Sequence, residues 1–473
     1  MPTRRTLLHA AAAAPLGAAA WLAACGHGAA ANNGDAAGLL DDLERRTFAY
    51  FWDTTDARTG LAPDRWPTPS FASIAATGFA LTAYPIGVAR GFVSREQAAE
   101  RVLTTLRYLH DAPQGPEPEG RAGYKGFFYH FLDMRSGTRF GQVELSTQDT
   151  ALAIIGALAC GAWFDRADAR EAEIRRLADA LYARVDWPWA QVRPPAIGHG
   201  WTPEHGHLAS DYKGYNEAML LYLLALGSPT HAVGADAWDA WVSTYPGAWG
   251  THYGQTYLHY HSFFIHQFTH CWIDLRGLQD AFMRAKAIDY HENSRRATYA
   301  QRAYAIANPE GWADYGADVW GITACDGPLD AQLEYGGRLR RFISYAGRGM
   351  GGARWHDDGT IAPYGAGSSI VFAPEIVLPA LAAMRSRFGA HIYDRYGFHA
   401  FNRSFRFAER RLTHGRVIPD FGWVDTDYLG IEQGPLLAML GNHRGEVIWR
   451  ALRGHAHLAR GLRRAGFAGG WLG

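Results

Sequence analysis

Apolar positions along the chain recur with a helical period almost throughout, and few stretches alternate with period two. Five segments are apolar nearly all round: 71–88, 147–164, 214–226, 369–384 and 434–440. A helix without a polar stripe has to be buried on every side. Each is followed by a charged, amphipathic segment, at 95–111, 167–185, 234–245, 394–407 and 442–466, which predicts a helix with one face in water. The alternation predicts an all-α fold, an (α/α)6 barrel in which six inner helices are shielded by six outer ones. The aromatic stretch 257–272 would supply the sixth inner helix and 278–307 its outer partner, while 39–54 closes the outer ring. The Gly- and Pro-rich stretches 113–126, 187–210 and 311–363 carry no long helix and are expected to form functional loops on one face.

The N-terminus departs from this pattern. Paired Arg4 and Arg5, an apolar run of small residues, and Leu22-Ala23-Ala24-Cys25 have the pattern of an export signal. Residues 1–25 are therefore expected to be a twin-arginine-like signal with a lipobox, Cys25 the lipidated first residue of the mature chain, 26–38 a polar tether, and 39–473 a single domain. That places the protein in a bacterial periplasm, held to the membrane by lipid alone, because no later apolar run approaches the roughly 20 residues of a membrane span. Cys160, Cys271 and Cys325, odd in number and widely spaced, predict free thiols. Formal charge is zero, so nothing suggests a nucleic-acid partner, and a monomer is expected. Aromatic residues make up 13% of the chain, with 17 Trp, more than a core usually requires, and sugars are ligands that suit such a surplus.

Acidic residues recur at the mouths of the predicted inner helices. Glu217 is wedged between Tyr212, Tyr215 and the apolar run that starts at Met219, where an ionised carboxylate is costly unless something uses it. A helix start alone would lower its pKa, whereas burial among aromatics raises it, the direction a general acid needs; the plainer alternative is a helix-start charge partnered by Lys213. Glu144 precedes Ser146 and Asp149, which have capping-box spacing, so Asp149 has a structural task available and Glu144 is the better candidate for chemistry. Asp425, Asp427 and Glu432 lead into the last inner helix, with Pro435 in its first turn. Glycoside hydrolysis needs such a set: one carboxylic acid to protonate the leaving oxygen and one carboxylate to activate water or attack. Glu375 reads as a helix-start charge, and Asp326-Gly-Pro and Asp357-Asp358-Gly-Thr read as turns. His266 and His270 have the i, i+4 spacing that could share a metal on one helix face, but hydrogen bonding along a sugar cleft accounts for these histidines with fewer assumptions. No metal and no cofactor is expected.

Eight motifs then carry a resemblance: Gly126-Phe-Phe-Tyr-His-Phe-Leu-Asp133, Glu144-Leu-Ser-Thr-Gln-Asp-Thr-Ala-Leu152, Tyr215-Asn-Glu-Ala-Met219, Leu226-Gly-Ser-Pro-Thr230, His266-Gln-Phe-Thr-His270, Asp358-Gly-Thr-Ile-Ala-Pro363, Phe372-Ala-Pro-Glu-Ile376 and Gly430-Ile-Glu-Gln-Gly-Pro435. From about Leu39 to Gly473 the chain resembles the glucoamylase-like proteins of glycoside hydrolase family 144. The resemblance implies an (α/α)6 barrel and endo-hydrolysis of linear β-1,2-glucan with inversion, releasing short sophoro-oligosaccharides. It makes Glu217 the leading candidate for the general acid and leaves the base open, with Glu144 first, then Asp149 and Glu432. Stacking on the glucan would come from Trp201, Tyr215, Trp320 and Trp423, with His266 and Asp427 adding polar contacts. The alternatives are a transglycosylase, a hydrolase of another β-glucan, or a sugar-binding lipoprotein without catalysis.

Overall fold

The computed structural model describes residues 28–351 and 356–473, with side chains from residue 37 onward. The expected export signal and its Cys25 lie outside the described residues. Fifteen α-helices follow one another among the described residues: α1 (Gly28–Thr54), α2 (Ile74–Ala89), α3 (Arg95–Asp111), α4 (Thr147–Trp163), α5 (Ala169–Ala183), α6 (Met219–Gly227), α7 (Asp236–Val242), α8 (Tyr245–Ala248), α9 (Ala281–Ala285), α10 (Tyr290–Ala307), α11 (Pro363–Gly367), α12 (Pro374–Ile392), α13 (Gly430–Gly445), α14 (Val447–Leu452) and α15 (Ala456–Arg464). Residues 28–38, expected as a tether, are the first turns of α1. Among the described residues no helix is long and apolar enough to cross a membrane.

The all-round apolar segments behave as their composition requires. In α2, α4 and α6 nearly every residue is buried, whereas α3 and α5 bury one face only. α2 and α4 lie so close that a Cβ on Gly78 would fall 2.3 Å from Leu152 O, and one on Gly156 would fall 2.3 Å from Gly78 O. α13 packs along the other side of α2, with Gly434 against the Phe79 ring. Cys160, Cys271 and Cys325 are buried free thiols.

The helix-rich expectation holds, but an all-α fold does not. Short antiparallel strands build small sheets from the stretches between helices. The largest has five strands in the order Gly123–Tyr124, Phe127–Tyr129, Leu145–Ser146, Gly200–Thr202 and Gly206–His207. Three further departures have local causes. The expected inner helix at 369–384 is α12, which buries Ile376, Val377, Ala380, Leu381 and Met384 along one face and is therefore amphipathic; the charged 394–407 behind it forms strand pairs, Tyr393–Asp394 with Gly397–Phe398, around Gly397 at φ +108°. The expected helix 442–466 breaks at Glu446 (φ 51°) and Gly454 (φ 82°), and α15 packs on α6 in place of the short α7. Finally, 257–272 is a strand end followed by two 3-10 turns, Phe263–His266 and Phe268–Cys271, so His266 and His270 do not share one α-helical face.

Three strands run straight into three helices: Ala72–Ser73 into α2, Leu145–Ser146 into α4 and Tyr428–Leu429 into α13. Because these helices lie side by side, their N-terminal ends gather at one end of the molecule. Ser73 and Ser146 cap the first two, accepting from Ala76 N and Asp149 N.

Candidate active site

The acidic residues converge at that end in two connected groups. In the first, His130 stands between two carboxylates, its Nδ1 2.7 Å from Glu144 Oε1 and its Nε2 3.6 Å from Asp149 Oδ2. Burial by itself would discharge the imidazole, but Asp149, Glu144 and Asp64 outweigh it and hold its pKa up at about 9. In return, although burial opposes ionisation of Glu144, the hydrogen bond and charge of His130 bring its pKa below the ordinary value. Ser146 rather than Asp149 caps α4: Ser146 Oγ accepts from Asp149 N–H at 3.1 Å, and the Asp149 carboxylate accepts from the Ser146 hydroxyl instead of closing a capping box on the Ser146 backbone N–H.

Glu217 sits in the turn two residues before α6, and Gln148, in the first turn of α4, donates to its backbone carbonyl at 2.9 Å. Burial raises the Glu217 carboxyl pKa, and the Asp149 charge pushes the same way. Lys213 is exposed and is not among the groups that shift Glu217. The result is a pair of carboxyl groups whose environments drive them apart, Glu217 toward the protonated form and Glu144 toward the ionised one, which is the assignment pattern of an acid and a base.

The second group centres on Arg65. Its guanidinium meets Asp64 at 3.2 Å, Asp326 at 2.5 Å and Asp427 at 3.8 Å, and its Nη1 lies 3.1 Å from His414 Nδ1. Asp427 also accepts from Thr68 N–H at 3.0 Å. Asp425 and Glu432 lie behind; burial first, and then the charges of neighbouring carboxylates, push both well above the carboxylate range. Asp425 Oδ2 and Glu432 Oε1 have no hydrogen-bond partner among the described residues. Asp326, His414 and Asp427 offer ligand atoms within 4.8 Å of one another, yet the Arg65 guanidinium already stands among them as the balancing cation. Asp64 couples the groups, acting on both His130 and Arg65.

Several expected contacts change in the structure. Trp320 and Trp423 are wholly buried core rings, and His266 is 1% exposed, packed 5.1 Å from the Tyr215 ring, so none of the three presents a face to a sugar. Burial lowers His266 to about 3, and it is neutral. Tyr215 is buried as well. Trp201 is half-buried on the five-stranded sheet, 5.3 Å from the Tyr124 ring and 5.8 Å from Trp189. His270 Nε2 is 3.1 Å from Ser294 Oγ in the core. Asp326, read as a turn residue, ends a strand and is fully buried against Arg65; Asp358, read the same way, pairs with buried Arg348 at 2.7 Å. His130, Asp64, Arg65 and His414 were not anticipated, although His130 lies inside one of the eight motifs.

The glycoamylase family, whose description reads "Putative glucoamylase", matches residues 209–456. The chain belongs to this family. A protein of Bacteroides uniformis crystallised under the same description is 28% identical, with a TM-score of 0.78 over 93% of this chain and 99% of that one. The endo-β-1,2-glucanase of Chitinophaga pinensis, solved with sophorotriose and glucose, is 25% identical, with a TM-score of 0.77 over 92% and 98% of the two chains. A curated relative, the exo β-1,2-glucooligosaccharide sophorohydrolase of Parabacteroides distasonis, is 26% identical over 460 residues, 90% of this chain. The chain spans 57% of the length of that relative. The resemblance read from the eight motifs is thus borne out at the level of the family.

Proposed function

We propose that this glycoamylase-family chain hydrolyses linear β-1,2-glucan within the chain and with inversion, Glu217 acting as general acid and Glu144 as general base. The observation that carries the reading is the opposed tuning of these two carboxyls at the mouths of two helices, α4 and α6, that Gln148 of α4 ties together through the Glu217 carbonyl. Glu217, whose carboxyl pKa is raised by burial, donates its proton to the glycosidic oxygen as the bond breaks. Glu144, held ionised by His130, takes a proton from the water that attacks the anomeric carbon from the opposite side; an inverting pair needs roughly 6.5–9.5 Å between carboxyls to seat that water. Glu432 is a poorer base, since its surroundings favour the protonated form, and Asp149 is engaged by Ser146. The substrate class rests on the Chitinophaga endo-glucanase and the Parabacteroides sophorohydrolase; near-complete mutual coverage with the first favours internal cleavage. Transfer to a second sugar would use the same residues with a hydroxyl in place of water.

In the same reading the helices form an (α/α)6 barrel. α2, α4, α6, the turns 263–271, α11 and α13 make the inner ring, and α1, α3, α5, α15, α10 and α12 the outer. The signal in residues 1–25 sends the chain to the periplasm, and lipid on Cys25 holds it at the membrane as a monomer. The test of the chemistry is Glu217→Gln: turnover of β-1,2-glucan, read as new reducing ends, falls by a factor of about a hundred or more while the thermal midpoint stays put. A rate within a few-fold of wild type would remove Glu217 from the acid role.

A further inference from the structure

A run of rings leads from the surface inward to Glu144. Phe140, 41% exposed, lies 4.9 Å from Phe71, Phe71 lies 4.0 Å from Phe131, and Phe131 stacks 4.0 Å from the His130 ring that bonds Glu144. The backbone beneath is fixed: Ala72 and Ser73 pair with Leu132 and Phe131, and Phe140 N–H donates to Phe131 O at 3.0 Å. Rings held this way lose little freedom when a ligand settles on them.

In front of them lies an open groove of about 750 Å³. Phe71, Met134 and Phe140 supply its apolar lining, while Arg65, Arg135 and His414 supply charge and hydrogen-bonding groups. Arg65 and His414 are also the residues that contact Asp326, so the groove continues directly from the second acidic group. Its volume is that of a small-ligand site, and apolar faces set beside a few polar groups match a sugar ring, with one C–H face and a rim of hydroxyls.

We propose that this groove binds the part of a glucan chain that extends beyond the units held at Glu217 and Glu144, with Phe140 and Phe71 as its stacking platforms, and that it sets the preference for long chains. The inference rests on the glucan reading above and adds residues to it. The test uses the Glu217→Gln protein, whose turnover is lowered about a hundredfold or more, titrated calorimetrically with sophorotriose and with a long linear β-1,2-glucan. Adding Phe140→Ala weakens binding of the long chain about five- to tenfold and leaves sophorotriose unchanged, and Phe140→Trp restores the long chain. Equal loss for both ligands, or no loss for the long one, overturns the groove assignment while leaving the glucan reading intact. If the protein with Phe140 in place binds neither ligand, the glucan reading itself fails and the groove falls with it.

Discussion

The imidazole of His130, 2.7 Å from Glu144 and 3.6 Å from Asp149, couples the charge of the site to pH. Its folded pKa, about 9, lies above its ordinary 6.5, so its contribution to stability is complete below pH 6.5 and is lost as pH rises through about 9. Glu144 has the opposite sign: its folded pKa is below 4.5, so its contribution is present above pH 4.5 and is lost as pH falls through the lower value. Their joint contribution is therefore largest between those two ordinary values. In His130→Gln, Glu144 loses its cation and its pKa climbs, so the acidic limb of the kcat/KM profile moves to higher pH while the alkaline limb, set by Glu217, moves less. A pH–rate profile with an unmoved acidic limb would contradict this coupling. The sequence singles out Glu217 by its place before an apolar run and Glu144 by its place ahead of the Ser146 cap. No such sign marks Arg65 and Asp326, which meet across more than half the chain, and an Asp before Gly-Pro looks like any turn; His130 has its partner Glu144 only 14 residues on, but that spacing matches neither a helix face nor a cap.

At the scale of elements, periodicity located α2, α3, α4 and α5 almost to the residue, because a fully apolar or one-faced segment can be buried in only one way. It failed where backbone conformation overrode pattern. The left-handed residues Glu446 and Gly454 divide 442–466 into α14 and α15, and the strand pairs after α12 take up residues whose charge pattern alone suited a helix. The close crossing of α2 and α4 yields a sharp expectation. Gly78→Val places side-chain atoms against the Leu152 carbonyl, which belongs to backbone and cannot turn aside. Overpacking of this kind costs about 1–3 kcal/mol, seen as a lower thermal midpoint. Because the same crossing aligns the helix mouths that carry Ser73 and Asp149, turnover falls as well. A midpoint equal to wild type would mean that the two helices can part without cost.

Over the whole molecule, the strands that precede α2, α4 and α13 bring residues from distant parts of the chain to one end, and the intervening loops add the aromatic groove beside them. The family and the helix-rich architecture were readable from ordered motifs and periodicity. The small sheets were not, because strands of two or three residues are too short to show alternation. If this end of the molecule cleaves β-1,2-linked glucan, the products released from defined glucans show it. Residues 28–473 are incubated with linear β-1,2-, β-1,3-, β-1,4- and α-1,4-glucans and the products are separated by length. Short oligosaccharides of mixed length from the β-1,2 chain alone are the predicted result; no product from that chain, or equal cleavage of the others, would contradict it.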